Sequence, residues 1–505
     1  MFSYLLLFLF TTLLVSPENE NKIKKYFYAI ILTSSVFAYT LLGLLSLFLI
    51  FINHSKFPII LFSLLLFVSL IFIDKKIKDK FIYLKNSFTS ELIFSKNCLK
   101  NKTNKTFLMI IFSLIFLITI SSIGPINHPD SLDYHLGYPY QYWLKGGFFI
   151  DDGLHQGLLG IGDYANLSFI QEKNIWLIRY LQIINLPVIF LFLTNKIKEK
   201  LFALVLLSSP VIIQWSTIGK PLFLGESALA IAFLIWKENQ DKFSKKLLII
   251  SIISCLSLKI SSLLVIFPIA IDIIFQSLKK FKISNQRPLL IDELKNIFCN
   301  KLTIISILIL CSILISRQII SGNFMYPLLT DFFNKNDLLI NEFSNSLSSY
   351  RRDNFFPINL FIPINLSDIS NAIGPSFLIL VFIKIISVIK SKNFCNNVFF
   401  ISLVQISLLF LFGQGRGDYY TAPIILILYS LKDIKFDRVS ALSRNFLFST
   451  ISIQLIIIST FIGFSINQTI LTLQDYEKTM NLTTFGFSAK KYIDINLKGN
   501  LFYNV

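Results

Sequence analysis

Nine residues, Asn127 to His135, read Asn-His-Pro-Asp-Ser-Leu-Asp-Tyr-His. They gather two carboxylates and two imidazoles in a chain of 505 residues that has only 29 acidic residues and 4 histidines. Asp130 has the position of a general base toward an incoming hydroxyl or amine. Asp133 stands three residues on and shares a face with it if the backbone turns helical after Pro129. The plainer alternative is that Asp130 caps that turn and Asp133 is solvated. His135 is expected as a hydrogen-bonding partner within the site, and His155 as a surface loop residue. The same carboxylate and imidazole set could ligate a divalent metal, but no strict ligand spacing is present and no cofactor is assigned. Tyr134, Tyr138, Tyr140, Tyr142 and Trp143 follow. Aromatics so placed anchor an interfacial helix, with sugar stacking as the second reading.

A second group consists of cations outside the lysine-rich turns: Lys220, Lys259, Arg317, Arg351, Arg352 and Arg416. A buried cation needs an anionic partner, which a phosphate or pyrophosphate headgroup would supply. Snorkelling, or pairing with Glu226 or Asp418, is the structural alternative. Arg416 lies in Gly413-Gln414-Gly415-Arg416-Gly417-Asp418-Tyr419-Tyr420, where glycines permit close backbone approach.

The elements that must position these residues are apolar helices. The chain is 54% hydrophobic and 15% charged, well below the charge of a soluble domain. Apolar runs recur near 3–15, 28–52, 57–74, 107–124, 175–194, 201–217, 221–236, 247–258, 260–277, 302–317, 371–390, 397–413, 419–431 and 446–465. The expectation is an all-α polytopic transmembrane bundle of about 12–14 spans. The run 247–278 is too long for one span, and Lys259 near its middle predicts two short helices meeting there.

Lysines cluster after the first run, over 75–105, at 196–200, 237–246, 279–301 and 390–392, and from Lys432 to Arg444. Alternate threading puts all of them on one side, the cytoplasmic side by the positive-inside rule. The other side then receives 125–174, Gly219-Lys220-Pro221, Lys259, 318–370 and 413–420. The formal charge of +18 is thereby explained without nucleic acid. Five cysteines show neither paired nor metal spacing, and no phosphate loop, dinucleotide fingerprint or HExxH motif is present.

The stretch Asp130-Ser131-Leu132-x-Tyr134-His135, followed by Trp143 and Gly146-Gly147-Phe148, resembles the first external loop of GT-C superfamily glycosyltransferases. These are similar to the aminoarabinose transferases and protein mannosyltransferases that use polyprenyl-phosphate sugars. Further likenesses are Trp215-x-x-x-Gly219-Lys220-Pro221, the helix pair around Lys259, and Arg317 followed by Gly322-Asn323-x-x-Tyr326-Pro327. Arg416 with Tyr419-Tyr420 resembles the late arginine–tyrosine motif.

The resemblance implies an inverting glycosyltransferase of the cytoplasmic membrane with its site facing the exterior. It would move a sugar from a polyprenyl-phosphate donor to a lipid, glycan or protein acceptor. Asp130, with Asp133 and His135, would be catalytic, and Lys220, Lys259 and Arg416 would hold the donor phosphate. Tyr134, Arg317, Tyr326, Arg351 and Tyr419 are acceptor or loop candidates. The core would span 107–465, preceded by spans and a basic linker over 1–106 and followed by a short external tail over 466–505. Two expectations depart from the family: about three spans precede the helix leading into Asp130, and the large soluble C-terminal domain of some members is not expected. The competing functions are a flippase or transporter for a lipid-linked glycan, and a glycan polymerase or ligase.

Overall fold

A computed structural model describes residues 1–98, 102–122, 131–150, 154–284, 300–326, 341, 345, 356–363, 369, 371–391, 397–412, 417–434 and 439–474. All regular structure among them is helical. In chain order the helices are α1 (Phe2–Val15), α2 (Glu20–Phe51), α3 (Ile59–Ile73), α4 (Ile77–Cys98), α5 (Lys102–Ser121), α6 (Gly137–Lys145), α7 (Leu154–Leu158) and α8 (Ile161–Gln171). Then come α9 (Ile178–Ile183), α10 (Asn185–Lys196), α11 (Lys200–Ser208), α12 (Pro210–Thr217), α13 (Leu222–Asn239), α14 (Lys242–Leu258) and α15 (Leu263–Ser284). The last are α16 (Lys301–Ser321), α17 (Pro375–Ser391), α18 (Asn397–Leu411), α19 (Thr421–Ser430) and α20 (Ala441–Gln474).

Every apolar run picked out above carries helix. Among the described residues, five helical stretches are long and apolar enough to cross a membrane: Glu20–Phe51, Ile178–Lys196, Ile260–Leu278, Lys301–Ser321 and Ala441–Gln468. A sixth is added if α12 and α13, bent by 118° at their junction, form one broken span. Several of the other apolar helices have 10–17 residues, short of the roughly 20 a straight crossing needs. Segment 77–98, read as part of a basic linker, is the helix α4.

The centre of the bundle is α2. Asn19 caps its start by accepting the Lys22 N–H at 3.2 Å, and 32 residues follow without a break, about 48 Å of helix. It packs against α1, α8, α13 and α14 and is buried along most of its length. The approach to α8 is close because Gly43 faces the Ile161 carbonyl, where a Cβ would lie only 2.0 Å from the oxygen. The Tyr39 hydroxyl donates to Asn166 Oδ1 across the same contact at 2.7 Å.

The lysine-rich turns meet at one end. Lys196 pairs with Glu238 at 2.7 Å and Lys237 with Asp272 at 2.8 Å. Lys80 pairs with Asp74 at 2.7 Å, and Lys384 donates to the Ser430 carbonyl. The opposite end joins different segments. The Ser55 hydroxyl donates to the Tyr142 carbonyl at 2.6 Å, Ser131 to the Ile218 carbonyl at 3.0 Å, and the Phe148 N–H to Asn53 at 3.0 Å.

The stretch expected as an external loop over 125–174 is therefore largely helical where it is described. In α8, every residue from Ile161 to Ile170 is buried. Its polar groups are satisfied inside the fold, which an apolar environment requires.

Candidate functional site

The site is built on α8 and on two interrupted helices. Just after the Asp130 segment, Ser131–His135 forms one π-type turn, closed by the Leu136 N–H on the Ser131 carbonyl at 2.9 Å. Such turns re-aim side chains that a regular helix would point elsewhere. His135 leaves this turn 3% exposed. Its Nδ1 lies 2.5 Å from Asp163 Oδ1, and Asp163 Oδ2 accepts the Gly160 N–H at 2.7 Å. The His135 carbonyl accepts from Asn166 Nδ2 at 2.7 Å, so both ends of the residue are fixed to α8. The Tyr134 ring stands 4.0 Å from the imidazole by centroid, with the His155 ring 4.9 Å away on Tyr134.

A carboxylate has only acceptors to offer, so the neutral ring carries its hydrogen on Nδ1. Burial pushes the His135 pKa below its ordinary 6.5, and the positive charges of Lys220 and Lys259 add to that, while Asp163 opposes it. Among the described residues, Nε2 is buried and makes no hydrogen bond.

Both lysines sit at breaks. Between α12 and α13, Gly219 adopts a left-handed φ of 80°, which glycine takes without strain, and Pro221 precedes α13. The Lys220 side chain turns inward, 2% exposed, with Nζ 4.4 Å from the Trp215 ring centroid, a cation–π distance. Lys259 is extended at φ −158° and ψ 124°, ending α14 before a 3₁₀ turn leads into α15. This is the predicted meeting of two helices. Its Nζ lies 5.3 Å from the Tyr419 ring. Tyr419 belongs to a 3₁₀ turn, Gly417–Tyr420, ahead of α19. There the buried Glu226 of α13 accepts the Ala422 N–H at 3.0 Å, holding the turn in place.

Arg317, buried near the end of α16, binds backbone. Its guanidinium donates to the carbonyls of Leu158 at 3.2 Å and Leu159 at 3.0 Å, and to that of Tyr326. It thereby secures the turn from which Gly160 reaches Asp163. Gly157 lies against the Tyr326 ring, where a Cβ would be 2.8 Å away.

The structure thus brings His135, Tyr134, Lys220, Lys259, Tyr419, Arg317 and Tyr326 to one end of the bundle, away from the lysine-rich turns. Asp130, Arg351, Arg352 and Arg416 lie outside the described residues, as does the Asp133 side chain. Arg317 and Tyr326, read as acceptor or loop candidates, are backbone-bonding and packing groups. His155, expected on the surface, has its ring stacked on Tyr134.

Asp163 is the residue that the sequence reading passed over. An aspartate inside the apolar run Leu158–Ile170 was its signal, because a buried carboxylate demands a partner. Among the described residues there is no group of three or more His, Cys, Asp or Glu side chains able to hold a metal ion. No family model, no curated protein and no solved structure matches the chain.

Proposed function

We propose that the protein is an integral membrane glycosyltransferase of GT-C type, with about 12–14 membrane passages and its site on the external face of the cytoplasmic membrane. It transfers a sugar from a polyprenyl-phosphate donor to a lipid, glycan or protein acceptor. The observation that carries this reading is that Lys220 and Lys259, each at a helix break, lie within electrostatic reach of a buried histidine–aspartate pair, which follows the segment that ends in Asp130.

A buried and a half-buried ammonium group, Lys220 and Lys259, suit a phosphate that must gain charge as the glycosidic bond breaks. The acceptor oxygen or nitrogen forms a bond to the anomeric carbon, and the bond from that carbon to the phosphate oxygen breaks. The electron pair leaves on the lipid phosphate, where Lys220, Lys259 and Arg416 stabilise it. The acceptor proton passes to Asp130. One displacement inverts the anomeric centre, and no nucleotide is consumed.

The test is sugar transfer in proteoliposomes, with radiolabelled polyprenyl-phosphate sugars and a membrane and cell-wall extract as acceptor. Transfer by wild type that Asp130→Asn abolishes, with donor binding retained, supports the reading. Undiminished transfer by the variant removes Asp130 as the base. Labelled lipid crossing the bilayer without transfer replaces the enzyme with a flippase.

A further inference from the structure

We infer that His135, with Asp163 as its positioning residue, is a sugar-reading subsite that accepts a hydrogen bond from a hydroxyl or amine of the sugar whose phosphate Lys220 and Lys259 hold. The inference rests on the reading of the two lysines given above and adds to it how the uncharged part of the donor is recognised.

Asp163 uses both oxygens, one on the His135 ring and one on the Gly160 N–H. The hydrogen shared with the ring therefore belongs to Nδ1, and Nε2 keeps its lone pair. The ring cannot easily exchange the two nitrogens. Its backbone carbonyl is held by Asn166, Asn166 is held by Tyr39, and the Tyr134 ring crowds one side. A buried acceptor left unbonded costs free energy unless something occupies it. Lys220 and Lys259 are close enough to influence the ring's charge, so an anion beside them would not bond to Nε2, which has only a lone pair to give. A neutral O–H or N–H would. On a sugar phosphate, such groups lie a few bonds from the charged oxygens. A neighbouring anion site and acceptor-only site therefore match the two halves of one ligand.

The tautomer can be read directly. The chain has 4 histidines, so [15N]histidine-labelled protein in detergent gives few signals, and His135→Gln identifies the one that matters. We expect a neutral ring at pH 7 with hydrogen on Nδ1. Asp163→Asn should reverse it, because the amide oxygen would keep the Gly160 N–H and the amide nitrogen would donate to Nδ1. Nε2 would then become a donor, the consequence known for buried aspartate–histidine pairs.

Affinity is measured next for farnesyl phosphate and for a panel of farnesyl-phosphate hexoses and pentoses. In wild type, at least one sugar should bind more tightly than farnesyl phosphate and shift the Nε2 resonance. Asp163→Asn should lose that gain, about 10-fold, and leave farnesyl phosphate affinity unchanged. Should the asparagine variant not fold, His135→Leu carries the same expectation. An Nε2-protonated or charged His135 in wild type overturns the proposal. So does a sugar-dependent gain that survives reversal of the tautomer or loss of the ring. Failure of farnesyl phosphate itself to bind removes the phosphate reading and the sugar subsite with it, whereas a correct tautomer with phosphate binding but no sugar discrimination overturns the subsite alone.

Discussion

Gly160→Ala should be among the most disruptive single-methyl additions to this chain. A Cβ on Gly160 would lie 1.7 Å from the Leu258 carbonyl oxygen and 2.7 Å from its carbon. Both are backbone atoms, so no side chain can swing aside. Restoring ordinary contact requires the start of α8 and the end of α14 to separate by about 1.5 Å, in an interior packed like a crystal. Overpacking on that scale costs about 1–3 kcal/mol or more. Leu258 immediately precedes Lys259, and Gly160 donates to Asp163, so the separation moves the lysine away from the histidine–aspartate pair. A misplacement of about 1 Å can cost roughly 100-fold in turnover.

The comparison is Gly463→Ala in α20, where an added Cβ meets nothing within 4 Å. There alanine should be neutral or stabilising, by up to about 1 kcal/mol. Thermal unfolding of both variants in detergent, with farnesyl phosphate affinity, decides the matter. A Gly160→Ala protein that melts with wild type and binds as wild type does would refute the close approach of α8 to α14.

Three further outcomes are expected. Because His135 has its pKa lowered from 6.5 in the folded state, the unfolded chain binds the extra proton first. Stability should therefore fall as pH drops below about 6.5, by up to about 1.4 kcal/mol per pH unit, and denaturant titration of His135→Gln should lack that slope. Arg317→Met keeps much of the volume but strips three carbonyls of their donor, and should cost roughly 3 kcal/mol in the same titration; a loss under about 0.5 kcal/mol would mean the clamp contributes nothing. In a cysteine-free background, single cysteines at Lys75 and Lys198 should react with an impermeant maleimide only from one side of a vesicle, and one at Asn53 only from the other. Labelling from a shared side would undo the division of the bundle into two ends.

Much of this arrangement is legible in the chain because lipid and burial leave few solutions. Apolar runs had to be helices, and a lysine in the middle of an overlong run had to mark a break, which is where Lys259 stands. The second break, at Gly219-Lys220-Pro221, falls between two runs read as separate spans, 201–217 and 221–236, where the structure has a 118° bend. Segment 77–98 was hidden by its own lysines, which read as a linker although a helix carries them equally well. The polar stretch after residue 125 misled in the opposite direction. Asp163, Asn166 and Gln156 look like loop residues until their partners are known, and those partners are Gly160, Tyr39, Tyr142 and the His135 backbone. Only the Asp163–Gly160 contact is local, a capping bond across three residues; no local pattern encodes the pairings with Tyr39, Tyr142 and the His135 backbone. Asp163 was recoverable only by asking what an aspartate inside an apolar run was paying for.

The contact between α2 and α8 has a consequence for how the protein is made. Helix α8 has 11 residues, about 16 Å of length, and holds an aspartate and an asparagine. It can neither cross a bilayer alone nor rest comfortably inside one. Helix α2, long and apolar, leaves the ribosome more than 100 residues earlier and already carries Gly43 and Tyr39, the notch and the hydroxyl that α8 needs. The first helices are thus a mould that must be in the membrane before the polar centre can be seated. A chain begun after residue 106 would synthesise every residue of the site and have nowhere to put them.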